Sequence, residues 1–175
     1  MGWGSGNDSV RVGSCGLGRG LFAGRGYDPG ELILVLCGAR YGRDDPIHGT
    51  PGGANLLQTG WRTYILLEPP GVFANHSCNP NAGIRGNRRL VAIRPIAAGD
   101  EIRFDYSTTM AENFWTMPCR CGDPACRGVV EDFARLPRLI QDRYLRLGIV
   151  QGFIARDQQH IRAAARRTAA PCRTV

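Results

Sequence analysis

The chain contains no lysine: all 22 of its basic side chains are arginine, a bias that a GC-rich genome accounts for. It also contains no run of 18 apolar residues, so the sequence offers no membrane-spanning helix. The start, MGWGSGNDSV, has neither a charged leading segment nor an apolar stretch, which excludes a secretory signal from the reading. Residue 6 is glycine, where the myristoylation pattern requires Ser or Thr. No internal repeat is visible. With these classes removed, the expectation is a soluble intracellular protein of the cytoplasm, or of the nucleus if the source is eukaryotic. The sequon Asn75-His76-Ser77 then loses its meaning as a glycosylation site, and the seven cysteines read as thiols or metal ligands rather than disulfides.

What is present fits one domain with a small appendage: 175 residues, 43% of them hydrophobic. Charge divides the chain. Residues 1–132 carry 13 Arg against 13 acidic residues, whereas residues 133–175 carry nine Arg against two Asp, so the whole net charge of +7 sits in the C-terminal quarter. Residues 1–9 are rich in Gly, Ser and Asn and read as a flexible start. From Val10 to Val35 the pattern is short strands around tight turns, with Asp28-Pro29-Gly30 as a turn and Leu32–Leu36 as a buried strand. Residues 38–61 combine many Gly and Pro with little periodicity and read as a loop-rich insert. Further strands are expected at Arg62–Leu67, Leu90–Ile93 and Ile102–Tyr106. After Pro137 the period changes: Leu139, Ile140, Tyr144 and Leu147 suit a helix stopped by Gly148. A second helix is expected from Gln151 to about Thr168, with Ile154, Ile161 and Ala165 on one face, before Pro171.

Four segments carry candidate chemistry. GLGRGLFAG (Gly16–Gly24) contains G-x-G-x-x-A, but the buried strand before it and the helix after it that a dinucleotide site requires are missing. NHSCNPN (Asn75–Asn81) offers fixed donors and acceptors followed by a turn. GDEIRFDY (Gly99–Tyr106) is a turn and strand ending on a tyrosine. CRCGDPAC places Cys119, Cys121 and Cys126 in C-x-C-x4-C spacing, three thiolates of the four a structural zinc site takes, unless the group is a redox or buried cluster.

In their order and spacing these segments resemble the SET-domain lysine methyltransferases that carry a zinc-binding post-SET segment. The resemblance covers roughly residues 10–130. It implies a mainly β fold of the SET or β-clip type, built of short strands and small sheets with a threaded C-terminal segment, to which this chain adds a helical C-terminal extension. The implied organisation is a flexible start at 1–9, the SET domain at 10–117, the post-SET segment at 118–130 and a basic helical extension at 131–175. It implies S-adenosylmethionine as methyl donor, held by Gly18, Arg19, Gly20 and Leu21 in the glycine segment and by Asn75 and His76. Tyr106 is implied as the catalytic tyrosine and Tyr64 as a second one lining the substrate channel. Phe104 occupies a channel position where a missing hydroxyl leaves room for more than one methyl. Cys78 is implied as the fourth zinc ligand beside Cys119, Cys121 and Cys126. The zinc segment would fasten a flap, with Phe114 or Trp115 nearby, over the donor site. A lysine-free chain could not methylate its own side chains.

The sequence departs from the family before NHSC, where TYILLEPPGVFANHSC is compressed and Val72 stands in place of an arginine. That stretch shapes the peptide groove, so the protein substrate stays open among histones, ribosomal proteins and other basic proteins. Two other readings compete. In one, the body is a non-catalytic SET-like binding module whose zinc cluster accompanies an Arg-rich, nucleic-acid-binding tail. In the other, the glycine segment serves a nucleotide-dependent oxidoreductase.

Overall fold

Short apolar runs broken by Gly, Pro and Asp cannot extend far, and the architecture is accordingly one of small sheets. It is seen in a computed structural model, which describes residues 9–113 and 115–168. Phe114, the side chain of Ala165, Pro171, Cys172 and most of the Gly/Ser/Asn-rich start lie outside the described residues.

The chain opens with an antiparallel hairpin, β1 (Val10–Cys15) with β2 (Gly18–Ala23), in which Cys15 faces Gly18 across a two-residue turn. Gly18, directly after the turn, has φ +106°, a conformation that favours glycine. Next come β3 (Leu32–Val35), β4 (Gly38–Gly42), β5 (Leu56–Gly60) and β6 (Thr63–Leu67). They are followed by the two-residue β7 (Asn75–His76), then β8 (Ala82–Arg85), β9 (Arg89–Ala92) and the two-residue β10 (Arg103–Phe104). The last strands, β11 (Met117–Pro118) and β12 (Val129–Val130), pair with each other. Two three-stranded sheets have the orders β3-β9-β8 and β4-β6-β5, and β7 lies parallel to β10. Leu21, Leu36, Ile84, Leu90 and Ile102, all fully buried, fill the core between them.

Two expectations need correction. Residues 38–61 are not simply a loop: β4 and β5 flank β6 on both sides, and only residues 46–55 are 3-10 turns. The sheet is written in long-range pairing rather than in local periodicity. At Gly38 a Cβ would stand 1.7 Å from the Leu66 carbonyl oxygen, so the glycine is required by the approach of β6. Second, the strand expected at Ile102–Tyr106 pairs only over Arg103–Phe104. Asp105 then caps a 3-10 turn, Tyr106–Thr109, by accepting from the Ser107 amide, a local bond that competes with the ladder.

The tail forms α1 (Arg138–Leu147) and α2 (Gly152–Thr168). Gly148 ends α1 in the left-handed conformation, φ 67°, and its amide returns to the Leu145 carbonyl. The helices close a second core of Phe133, Tyr144, Ile149, Phe153 and Ile154 against Ile93 and Ala111 of the body. Leu139 is 83% exposed and Ile161 53%, against the expected faces. In α1 the buried positions are Gln141 and Tyr144, about 100° or more around the helix from Leu139 in steps of a helical residue. In α2 the position one turn beyond buried Gln158 is Arg162, which reaches Asp142 of α1 at 2.7 Å and leaves Ile161 outside.

Candidate active site and metal centre

The parallel pairing of β7 with β10 sets Asn75 beside Arg103 and His76 beside Phe104. This brings the NHSC and FDY segments together from 30 residues apart. The Asn75 side-chain amide donates to the Arg19 carbonyl at 2.9 Å and to Glu101 Oε1 at 2.8 Å. It thereby ties the hairpin to the turn before β10. His76 Nδ1 accepts the Tyr106 amide at 3.2 Å, which leaves the imidazole proton on Nε2, 3.3 Å from Cys78 Sγ. Burial pushes the His76 pKa down to about 4, so the ring is neutral.

Tyr106 donates its hydroxyl to the Ala74 carbonyl at 3.0 Å, and its ring lies 4.9 Å from that of Phe104 and 5.3 Å from that of His76. Burial raises its pKa to about 12, which keeps the phenol a donor at neutral pH. Two cavities meet at this residue. One, of about 340 Å³, is walled by Phe104, Ala74, Thr109, Glu112 and Trp115. The other, of about 410 Å³, is walled by Leu17, Asn75, His76, Arg120 and Cys121. Both volumes are of ligand-site size. Among the described residues, Tyr106 is the one side chain that lines both.

Behind the second cavity the cysteines gather. The ligand atoms of His76, Cys78, Cys119 and Cys121 lie within 4.8 Å of one another. Cys126 adjoins them, its thiol 3.9 Å from the Cys119 carbonyl oxygen. Cys78 Sγ and Cys119 Sγ are 3.7 Å apart, far beyond a disulfide. That is close to the edge of a tetrahedron with 2.3 Å zinc–sulfur bonds, about 3.8 Å. Backbone amides point at the sulfurs as they do around thiolates: Arg127 N at 3.4 Å from Cys78 and Gly128 N at 3.4 Å from Cys126. Burial raises the Cys121 thiol, but the Cys78 and Asp123 amides and the neighbouring thiols outweigh it and bring the pKa down to about 7. The donor set therefore fits zinc. Because Nδ1 of His76 already accepts an amide, the imidazole is suited to donating to Cys78 rather than to replacing a thiolate.

The remaining expected site residues fall in several places. Arg19 offers its carbonyl to Asn75 and stacks its guanidinium 4.1 Å from the Phe73 ring. At Gly20 a Cβ would come within 2.7 Å of Glu101 Oε1, and Leu21 is a fully buried core residue. Leu17, at the hairpin turn with Gly18, is what lines the second cavity from this segment. Trp115 lines the first cavity, the one without Asn75 and His76. Tyr64 is 2% exposed and sits behind that cavity's wall, edge-on to His48 at 4.6 Å, with the Glu112 carboxyl nearby helping burial to raise its pKa. Glu112 had no sequence signal, whereas Leu17 stood inside the glycine segment and Arg120 inside the cysteine segment without being singled out. Asp105 and Arg127, joined at 2.7 Å in the interior, stood inside FDY and directly after Cys126 and could have been suspected there.

Comparison with known proteins agrees with this geometry. The SET domain family profile matches residues 18–107. The histone-lysine N-methyltransferase ash1 of Drosophila melanogaster is 40% identical over 65 residues, 33% of this chain and 3% of its own length. Histone-lysine N-methyltransferase 2B of Homo sapiens is 29% identical over 126 residues, 63% of this chain and 5% of its own. The methyltransferase flvH of Aspergillus flavus is 30% identical over 91 residues, 50% of this chain and 51% of its own. The chain thus spans a small fraction of the two long histone enzymes and about half of the third relative. With a profile match over more than half its residues, and with NHSC, FDY and the cysteine cluster assembled around one tyrosine, this chain belongs to the SET domain family.

Proposed function

We propose that the protein transfers methyl groups from S-adenosylmethionine to the side-chain amine of lysine in a protein substrate. One observation carries the reading: Tyr106 stands where two cavities of ligand size meet. A reaction that moves a small group between two large partners needs them on opposite sides of a narrow junction, with little water between. S-adenosylmethionine supplies a methyl on a sulfonium that an amine displaces in line.

The cavity of Asn75, His76 and Leu17 is assigned to the donor, and that of Phe104, Glu112 and Trp115 to the lysine. Trp115 is accordingly moved from the donor's side to the substrate's. Lysine must arrive neutral, and removing its proton at pH 7.4 costs about 4 kcal/mol. The apolar ring of Phe104 and the buried surroundings of Tyr106 lower that cost by disfavouring the ammonium. The Tyr106 hydroxyl, held at Ala74 O, orients the amine at the junction. Phe104 brings no hydroxyl to hold the amine, which supports addition of more than one methyl. Tyr64 acts from behind the wall by fixing Glu112. Gly18, Arg19, Gly20 and Leu21 act as the hairpin that supports Asn75. Cys78, Cys119, Cys121 and Cys126 would hold a structural zinc, and their segment forms one wall of the donor cavity through Cys121.

The unit organisation that goes with this reading is a SET domain at 10–117, a zinc segment at 118–130 and a helical extension at 131–175. The named activity of ash1 and of 2B supports histones as one substrate class, ribosomal and other basic proteins being others. The net charge of +7 in residues 133–175 supports contact with nucleic acid, which a salt-dependent shift of labelled DNA would check. No helix of the described residues is long and apolar enough to cross a membrane. Calorimetry with S-adenosylmethionine and with NAD tests the donor directly: heat with the first and none with the second is the expected result. The reverse would return the glycine segment to the oxidoreductase reading.

A further inference from the structure

The chain beyond the matched SET residues reaches a buried carboxylate beside Tyr106. Asp105, directly before Tyr106, has no exposed side-chain surface. Its Oδ1 accepts from the Ser107 amide at 3.1 Å and from Arg127 at 2.9 Å. Its Oδ2 receives Arg127 at 2.7 Å and the Tyr144 hydroxyl at 3.0 Å. Arg127 follows the last zinc-segment cysteine and is itself 13% exposed, and Tyr144 belongs to α1 and is 1% exposed. On its other side the Tyr106 amide is held by His76. The turn carrying Tyr106 is therefore fixed at two consecutive amides, and one of the two fixing groups is itself aimed by a residue of the C-terminal helix.

Each oxygen of Asp105 has two partners. Without the Tyr144 hydroxyl, Oδ2 keeps Arg127 alone, in a place water does not enter. The carboxylate then swings toward the guanidinium and loosens its hold on Ser107. The ring of Tyr144 packs with Phe133, Ile149 and Phe153 and does not depend on the hydroxyl. Packing and positioning can thus be separated by one oxygen atom.

We propose that Tyr144 is a positioning residue for methyl transfer: acting through Asp105, it sets the turn that presents the Tyr106 hydroxyl, and α1 is thereby part of the active site. This rests on the methyltransferase reading above. Tyr144→Phe keeps the ring and is expected to lower kcat about 5- to 20-fold, since displacement of a reacting group by a fraction of an ångström has effects of this order, with KM for the donor unchanged. Leu139→Ala, on the exposed side of the same helix, is the control and should leave kcat as it is.

The test uses the full chain, tritiated S-adenosylmethionine and acid-extracted histones, with protein also prepared with 3-fluorotyrosine. The Tyr106 fluorine resonance is assigned by its loss in Tyr106→Phe. The expected result is a fall in kcat in Tyr144→Phe together with a shift of the Tyr106 resonance. An unchanged kcat, or an unmoved resonance, overturns the proposal. A native protein that transfers no methyl overturns the functional reading on that acceptor, and the fluorine shift then decides the Tyr144–Tyr106 coupling alone.

Discussion

At the scale of single residues, the interior of the site is unusually rich in groups that titrate abnormally because burial denies them water. Glu112 is the clearest case outside the cysteine cluster. Burial, with Asp132 nearby, pushes its carboxyl above the usual 4.5, an effect that the neighbouring Tyr64 hydroxyl opposes. Above its ordinary pKa the unfolded chain has lost a proton that the folded chain still holds. Stability therefore falls as pH rises from 4.5 through the raised value. Glu112→Gln keeps an acceptor for Tyr64 and removes the charge. Its urea midpoint is expected to match the native protein near pH 4.5 and to exceed it at pH 7.5. A constant difference across that range would show that the carboxylate is not the group responsible. Much at this scale was legible in the sequence. Asn75, His76, Tyr106 and the cysteines stood in motifs, and motifs record local spacing. Glu112 and Tyr144 stood in none, because what makes them matter is a neighbour more than 15 residues away, as the Tyr144 hydroxyl on Asp105 shows.

At the scale of elements, the contrast is between patterns that are local and pairings that are not. The αL glycine at 148 and the change of period after Pro137 delimit α1 because both act within a few residues. β4 and β5 could not be read that way: Gly38–Gly42 and Leu56–Gly60 become strands only because β6 lies between them. The docking of the tail depends on a similar long-range fit. Gly83 of β8 faces Ile149, and a Cβ there would meet Ile149 Cγ2 at 2.6 Å. The Gln151 amide adds a bond to the Thr108 carbonyl at 3.0 Å, inside the turn that Tyr106 begins. Gly83→Ala is expected to destabilise the protein by about 1–3 kcal/mol through overpacking. Because Ile149 is the residue pushed, faster amide exchange in α1 and α2 than in β1 and β2 is the accompanying sign. Uniform loss across all elements would mean that the tail is not docked through this contact.

At the scale of the whole molecule, the zinc cluster and the donor cavity share a wall. Met117, Pro118, Arg120 and Cys121 line that cavity, while Cys119 and Cys121 belong to the cluster. On the proposed reading, metal binding and donor binding would be coupled through one short segment. Chelation is expected to lower the melting temperature and to weaken S-adenosylmethionine binding at least about tenfold, as lost support of a site commonly does. Calorimetry before and after zinc is removed checks it, and unchanged donor affinity in the zinc-free protein would separate the two sites. The charge pattern belongs to this scale too: residues 1–132 carry no net charge and residues 133–175 carry +7. Arg162 and Arg138 of that tail both pair with Asp142, one of the two acidic residues already counted in that excess.

The central claim is that Tyr106 orients an amine between donor and substrate. It is tested most directly by comparing the native protein with Tyr106→Phe, using labelled S-adenosylmethionine and acid-extracted histones, with the labelled amino acid identified after hydrolysis. The account predicts labelled methyl-lysine from the native chain. It predicts a rate lower by about 100-fold or more from Tyr106→Phe, in line with removal of a positioned hydrogen-bonding group at a reaction centre, while S-adenosylmethionine still binds. Equal rates from the two proteins, or label recovered on a residue other than lysine, would contradict it.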